Sequence, residues 1–313
     1  MGNCEDGVNF IKIFSKEDFN IQHARIIHHS SVYSLMQNGT FTLQHQSTQI
    51  GYSIVGQGAP LFIAPVSWGV DGHRWTTLDE LAKHFTLIRL DPRGTGTSGS
   101  VQEKSEYGIP TLVSDIDALR IHLGIDRWNI MGQSAGGWTA LEYTLAHQSR
   151  VQSLIVVCSA PTGKFHTGTF RDPSHPLYPE FDRISKEVRS LPADERVKTF
   201  NRAIYQFDVQ NDAAKQLIDG IFAKAEFNSQ RNQYFVMNEL NRYNVTERLK
   251  EISVPTLIIG GTHDVHVSPH WSEFMAGKIS NSRLVMMEHS GHFPWLDEPD
   301  LFFETILRFI EHG

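Results

Sequence analysis

The chain has 313 residues, more than the ~100–200 usual for a single core, with 40% apolar residues, 20% charged residues and a formal charge of -7. This composition excludes disordered, collagen-like and coiled-coil classes and predicts either one large α/β domain with an insertion or two domains. No run of five Lys or Arg occurs, so nucleic acid and anionic membrane surfaces are excluded as partners.

Residues 1–38 read as an N-terminal extension. Ser15 to Met36 is polar with helical character, yet Phe19, Ile21, Ile26 and Ile27 are too apolar for a free tail, so the segment is expected to pack over a sheet edge or mediate a homodimer. Met1-Gly2-Asn3-Cys4 resembles a doubly acylated start, but Glu5 and Asp6 argue against lipidation because Ser or Thr is wanted at position 6. The leading apolar stretch, Val8 to Phe14, is short, and no later run approaches the ~18 apolar residues of a membrane span. A cytoplasmic protein without a span is expected. Cys4 and Cys158 are far apart, and Cys158 sits in the apolar run Leu154 to Ala160, which predicts a buried thiol and no disulfide.

Short extended runs follow. Thr40 to Leu43 and Ile50 to Val55 are predicted to form a hairpin, with further strands at Leu61 to Ala64 and Phe85 to Leu90. From Leu61 onward apolar strands alternate with amphipathic helices, the pattern of a mostly parallel central sheet flanked by crossover helices. Leu112, Ile116, Leu119 and Leu123 mark a helix, Trp128 to Met131 a strand, Ala135 to His147 a helix and Leu154 to Cys158 a strand. Between about Pro161 and Lys250 helical patterns run without strands. The alternation then resumes with strands at Val254 to Gly260 and Leu284 to Met287 and helices at Trp271 to Ile279 and Leu301 to Ile310. The expected organisation is an α/β core at 39–160 and 251–313 with an inserted helical cap at 161–250. That block carries 12 acidic and 14 basic residues and 12 of the chain's 33 aromatics, so its charge is nearly balanced. Most of these rings are expected in ordinary helix packing, with a subset of Phe165, Phe170, Tyr178, Phe181, Tyr205 and Phe207 as candidate lining of an apolar pocket.

The sharpest chemical signal is Gly132-Gln133-Ser134-Ala135-Gly136-Gly137, which follows a predicted strand and opens a predicted helix. A serine in so tight a turn has a strained backbone, and Gly132 and Gly136 leave room where a Cβ would clash. The turn would lift the Ser134 hydroxyl above the sheet edge and set the Ala135 N–H at a helix start, where partial positive charge stabilises an oxyanion. A serine hydroxyl needs a base and a group to orient that base. Asp264 and His292 each follow a late strand, at the C-terminal strand ends where the crevice of an open α/β sheet lies. His289 competes with His292, which is preferred because Gly291 can let its ring swing toward the serine. His263 and His266, flanking the acid, are expected to be solvated or structural.

These residues carry a resemblance. The chain resembles an α/β-hydrolase of the proline-iminopeptidase-like branch from about Thr40 to Glu311, with Asp91-Pro92-Arg93-Gly94-Thr95-Gly96-Thr97-Ser98-Gly99 similar to that branch's loop after the fourth strand. The resemblance implies Ser134 as nucleophile, Asp264 as acid and His292 as base. It departs at the oxyanion turn, where the family's His-Gly is replaced by Pro65-Val66-Ser67-Trp68-Gly69; the backbone N–H of Trp68 is favoured as second donor, with Ser67 next. Haloalkane dehalogenases and epoxide hydrolases of this fold need Asp at the elbow and are disfavoured. Gly94, Gly96 and Gly99 also satisfy a dinucleotide fingerprint, but the polar residues Ser100 to Lys104 follow and no helix starts before about Pro110. Pyrophosphate would therefore have no helix N-terminus, and a tight turn without cofactor is expected. No HExxH or paired CxxC occurs, so no metal site is expected.

The functional expectation is a serine hydrolase acting on a small, partly apolar ester, lactone or amide. One alternative is a proline-iminopeptidase-type aminopeptidase, for which Glu239 is a candidate amine anchor or, more plainly, a solvated helix face. Another is a non-hydrolytic ligand-binding or cyclase protein on the same scaffold.

Overall fold

A computed structural model describes residues 36–72 and 76–312; the lipidation, packing and dimerisation expectations for the leading segment, and Cys4, lie outside them. Strand β1 (Gly39–His45) pairs antiparallel with β2 (Thr48–Val55), and Gln46 makes the tight turn between them at a φ of 51°. Six more strands follow: β3 (Ala59–Ala64), β4 (Phe85–Leu90), β5 (Trp128–Gln133), β6 (Val151–Val157), β7 (Thr256–Gly261) and β8 (Ser282–Met287). They form one eight-stranded sheet in the order β1-β2-β4-β3-β5-β6-β7-β8, in which β2 runs antiparallel to its neighbours and all other pairings are parallel. Every residue of β4, β5 and β7 is buried, as expected where helices cover both faces of a parallel sheet.

Helix α1 (Ile109–His122) starts with Pro110 in its first turn, buries Leu112, Ile116 and Leu119, and ends before Gly124, whose φ is 66°. Helix α2 (Ala135–Ala146) is buried along nearly all its length beneath the elbow. The sequence pattern ended β5 at Met131, two residues early. Gly132 and Gln133 continue the strand because they pair with Val156 and Val157 of β6, a contact that local residue types do not encode.

Between β6 and β7 lie α3 (Tyr178–Glu187), α4 (Ala193–Ile204), α5 (Asp212–Lys224) and α6 (Ser229–Tyr234), the last running into a π-helical turn at Phe235–Glu239. Helix therefore starts well after the predicted block begins, and an antiparallel bridge between Thr162 and Asn244 ties the two ends of the segment together. Phe170, Ile184, Val188 and Ile204 form a small core of its own, apart from the main one. The chain finishes with α7 (His270–Lys278), α8 (Pro294–Asp297) and α9 (Pro299–His312). The strand–helix reading of the sequence does not include α8 or the 3-10 helices Thr76–Lys83 and Lys104–Tyr107. The last of these sits inside the predicted polar loop, held by a capping box between Glu103 and Glu106. Among the described residues no helix is long and apolar enough to cross a membrane.

Candidate active site

Ser134 stands between β5 and α2 at φ 53° and ψ -126°, a conformation that side chains rarely adopt. Its surroundings enforce the strain. A Cβ on Gly132 would lie 2.2 Å from the Gly136 carbonyl oxygen, and one on Gly136 would lie 2.6 Å from that of Ala64. The Ser134 N–H donates to the Val157 carbonyl at 3.0 Å, and the Ser159 hydroxyl donates to the Ser134 carbonyl at 2.7 Å. Ala135 opens α2, so its amide is among those a helix leaves without an intrahelical partner, at the positive end of the dipole.

His292 and Asp264, far apart in sequence, meet in the interior. His292 Nδ1 lies 2.8 Å from Asp264 Oδ2, with both side chains buried, while Asp264 Oδ1 accepts the His266 and Val267 N–H groups at 2.8 and 2.9 Å. The carboxylate is thus fixed by two amides and leaves its other oxygen for the imidazole. On the far side of the ring, Nε2 is buried with no hydrogen-bond partner among the described residues. His289 is exposed, whereas His292 is buried against Asp264. The expected use of Gly291 needs correcting: a Cβ there would sit 2.3 Å from the Asp208 carbonyl oxygen, so glycine permits close approach, and that same carbonyl accepts the His292 N–H at 2.8 Å. Gln133 joins the elbow to this loop by donating to the His292 carbonyl at 3.0 Å.

His266, expected to be solvated or structural, is buried in the wall of the site, whereas His263 is exposed. The His266 ring stacks on His292 with centroids 4.6 Å apart and 12° between planes. Its Nδ1 lies 2.7 Å from Asp208 Oδ2, and its Nε2 lies 3.1 Å from Arg171 Nη2. Since Arg can only donate, Nε2 accepts and Nδ1–H donates to Asp208, which defines a neutral ring. Burial, followed by the Arg171 charge, pushes the His266 pKa well down, and burial followed by the Asp264 charge pushes Asp208 up. This Asp208–His266–Arg171 chain had no sequence signal, because its members lie far apart in sequence. Burial also raises the Cys158 thiol above its ordinary range. Ligand atoms of Cys158, Asp264 and His292 lie within 4.8 Å of one another. A protonated thiol beside an already hydrogen-bonded Asp–His pair is a poor donor set for a metal.

The Pro65–Gly69 turn is held from α6 and the residue before it. Arg231 Nε donates to the Ser67 carbonyl at 2.9 Å, Asn232 Nδ2 to the Trp68 carbonyl at 3.0 Å, and the Asn228 N–H to the Gly69 carbonyl at 2.8 Å. Gly69, at φ 100°, must be glycine because a Cβ would lie 2.6 Å from the Asn228 carbonyl oxygen. Arg231 is almost fully buried, and burial lowers its pKa to about 10. Asn228 also donates to the Gly94 carbonyl at 2.7 Å. The Gly94–Gly99 loop is a tight turn closed by Asp91, whose Oδ2 accepts the Thr97 N–H at 2.8 Å and whose Oδ1 accepts that of Gly72 at 2.8 Å. Glu239 is neither a solvated helix face nor part of the site wall: it is buried, and its carboxylate accepts the Ile109 N–H at the start of α1 at 2.5 Å.

Ser134 opens into a cavity of about 340 Å³. Trp68 and Ala135 line it together with the serine; Trp138, Phe165 and Phe235 form an apolar wall, and Arg171 and His166 lie within the same lining. Trp138 stacks on Tyr243 at 4.2 Å and 11°, which holds that wall rigid. Of the cap aromatics singled out from sequence, Phe165 and Tyr205 reach the cavity, whereas Phe170, Phe181 and Phe207 pack in the smaller core. No carboxylate lines the cavity among the described residues.

Known proteins agree with this architecture. The chain is 27% identical over 237 residues to a proline iminopeptidase of Saccharolobus solfataricus, covering 72% of this chain and 76% of that one. An alpha/beta fold family hydrolase from Bacillus anthracis superposes with a TM-score of 0.78 at 23% identity, covering 87% of this chain and 99% of that one. The enol-lactonase from Burkholderia xenovorans gives a TM-score of 0.66 at 22% identity, covering 86% and 99%. The family model described as the alpha/beta hydrolase fold matches residues 67–299, well over half of the sequence, and the chain belongs to that family.

Proposed function

We propose that the protein is a serine hydrolase that cleaves a small ester, lactone or amide through an acyl-enzyme. The observation that carries this reading is the buried 2.8 Å contact of His292 Nδ1 with Asp264, which leaves Nε2 as the nitrogen available to the elbow serine. Ser134 Oγ attacks the carbonyl carbon as His292 Nε2 takes its proton, and Asp264 holds the tautomer and stabilises the imidazolium. The imidazolium then protonates the leaving oxygen or nitrogen. Water attacks the acyl-enzyme with the same histidine as base, returning the free acid and Ser134.

The oxyanion donors follow from the turn. In a trans peptide the N–H and C=O point in opposite directions. Anchoring the Ser67 carbonyl on Arg231 therefore turns the Trp68 N–H away from α6, and we assign it, together with Ala135 N–H, to the oxyanion. Asn232 acts as a positioning residue through the Trp68 carbonyl. Asn232→Ala is expected to lower kcat about 10-fold, less than the loss of a direct oxyanion donor, with KM nearly unchanged. Steady-state kinetics on a short acyl ester read this split, and an increase in KM with kcat intact would contradict the assignment.

The aminopeptidase reading is weaker, because a substrate ammonium needs a carboxylate in the pocket, the cavity offers none among the described residues, and Glu239 is engaged with α1. The test of the hydrolase reading is a fluorophosphonate probe followed by peptide mapping. Stoichiometric labelling on Ser134 is expected; a folded protein that stays unlabelled would support the ligand-binding alternative.

A further inference from the structure

We propose that the substrate carries a carboxylate, which Arg171 receives in the cavity beside Ser134; the proposal rests on the serine-hydrolase reading. The ionisable side chains in the cavity lining are Arg171, Arg196, His166, His266 and Tyr205, with no acid among the described residues. The field there suits an anion and repels an ammonium.

Arg171 is built to receive one. Its guanidinium lies 4.4 Å from the Phe170 ring centroid and 5.8 Å from that of Phe181, and Nη2 contacts His266 Nε2 at 3.1 Å, so its plane is fixed before any ligand arrives. Behind it, Asp208 Oδ2 holds the His266 ring at Nδ1, 2.7 Å away. Nη1 is left buried with no partner among the described residues, as is Nδ1 of His166, another lining residue. A buried polar atom without a partner is costly, and the wall of this one cavity retains two. One carboxylate supplies two acceptor oxygens: the first for Arg171 Nη1 and the second for the Nδ1–H tautomer of His166. Burial lowers the His166 pKa to about 4, so this ring is neutral at neutral pH, and a carboxylate there selects its Nδ1–H tautomer. The apolar wall of Trp138, Phe165 and Phe235 takes the carbon skeleton, and about 340 Å³ admits a compact acid.

The experiment compares p-nitrophenyl half-esters of succinate, glutarate and adipate with their methyl-capped diesters. For at least one chain length the free acid is expected to have a kcat/KM about 10-fold or more above the capped ester, and Arg171→Gln is expected to bring that ratio to about one, as loss of one charge-assisted hydrogen bond would. Arg171→Lys should retain part of the preference, because it keeps the charge and loses the planar fork. A preference for the capped ester at every length, or a ratio unchanged in Arg171→Gln, overturns the proposal. Should the Arg171 variants fail to fold, binding of glutarate against dimethyl glutarate to the Ser134→Ala protein reads the same preference without turnover, and equal affinities overturn it. Failure of the hydrolase reading looks different: Ser134→Ala would keep its turnover on both ester series. Ser134-dependent hydrolysis that favours neutral esters removes the carboxylate proposal alone.

Discussion

Ser134→Ala is expected to lower kcat by about 10⁶, the loss typical when a serine nucleophile of this type is removed. Among the described residues, neither neighbouring nucleophile is free to substitute for it. The Ser159 hydroxyl is committed to the Ser134 carbonyl, and the Cys158 thiol is buried, held protonated and donating to the Gly291 carbonyl at 3.7 Å. The variant should keep its fold, because the elbow is held by backbone contacts: Ser134 N–H to Val157 and the packing of Gly132 against Gly136. Residual rate would come from the oxyanion amides and from binding alone. Single-turnover and steady-state assays on an ester, with thermal melting to confirm folding, make the measurement. A folded Ser134→Ala protein within 10-fold of the parent rate would remove the acyl-enzyme mechanism.

The second large effect belongs to Asp264→Asn, for which kcat should fall about 10⁴ with KM little changed. The direction follows from which oxygen does what. Oδ1 accepts two N–H groups, from His266 and Val267, so the carbonyl oxygen of an asparagine must take that place and its amide nitrogen must face His292 Nδ1. An NH₂ group there can only donate, which makes Nδ1 the acceptor and moves the ring proton to Nε2. Nε2 then has no lone pair for the serine proton. Stability should hold better than activity, because Asp208 and Asp264 are two buried carboxylates whose mutual repulsion helps raise the Asp208 pKa, and the substitution removes one of those charges. Parallel kinetics and melting curves separate the two effects; a kcat within 10-fold of the parent would show that Asp264 does not set the tautomer.

Much of the α/β core was legible because its strands are short apolar runs bounded by turns and its helices repeat at 3.6 residues. Of the elbow glycines, Gly132 was legible from local sterics, because a Cβ there would meet the nearby Gly136 carbonyl, whereas the need for Gly136 comes from the fold, which sets the Ala64 carbonyl against it. The Asp264–His292 pairing could be anticipated from chain order after the strands, but its consolidation could not. Asp208 and Arg171 come from the segment between β6 and β7, and His266 from the loop after β7; each looks like an ordinary polar residue until the fold stacks His266 on His292. The same holds for the Ser67–Gly69 turn, whose departure from the family pattern reads as a defect in sequence and in space is a turn gripped by Asn228, Arg231 and Asn232.

The amino-acid order by itself determined the layered fold, the strained serine and the Asp264–His292 pair, because each depends on short-range sterics or on position at a strand end. Tertiary structure alone decided the charge of the pocket and the job of Glu239. Both depend on which side chains from distant segments are buried together, where the loss of water makes each unmatched donor or acceptor count.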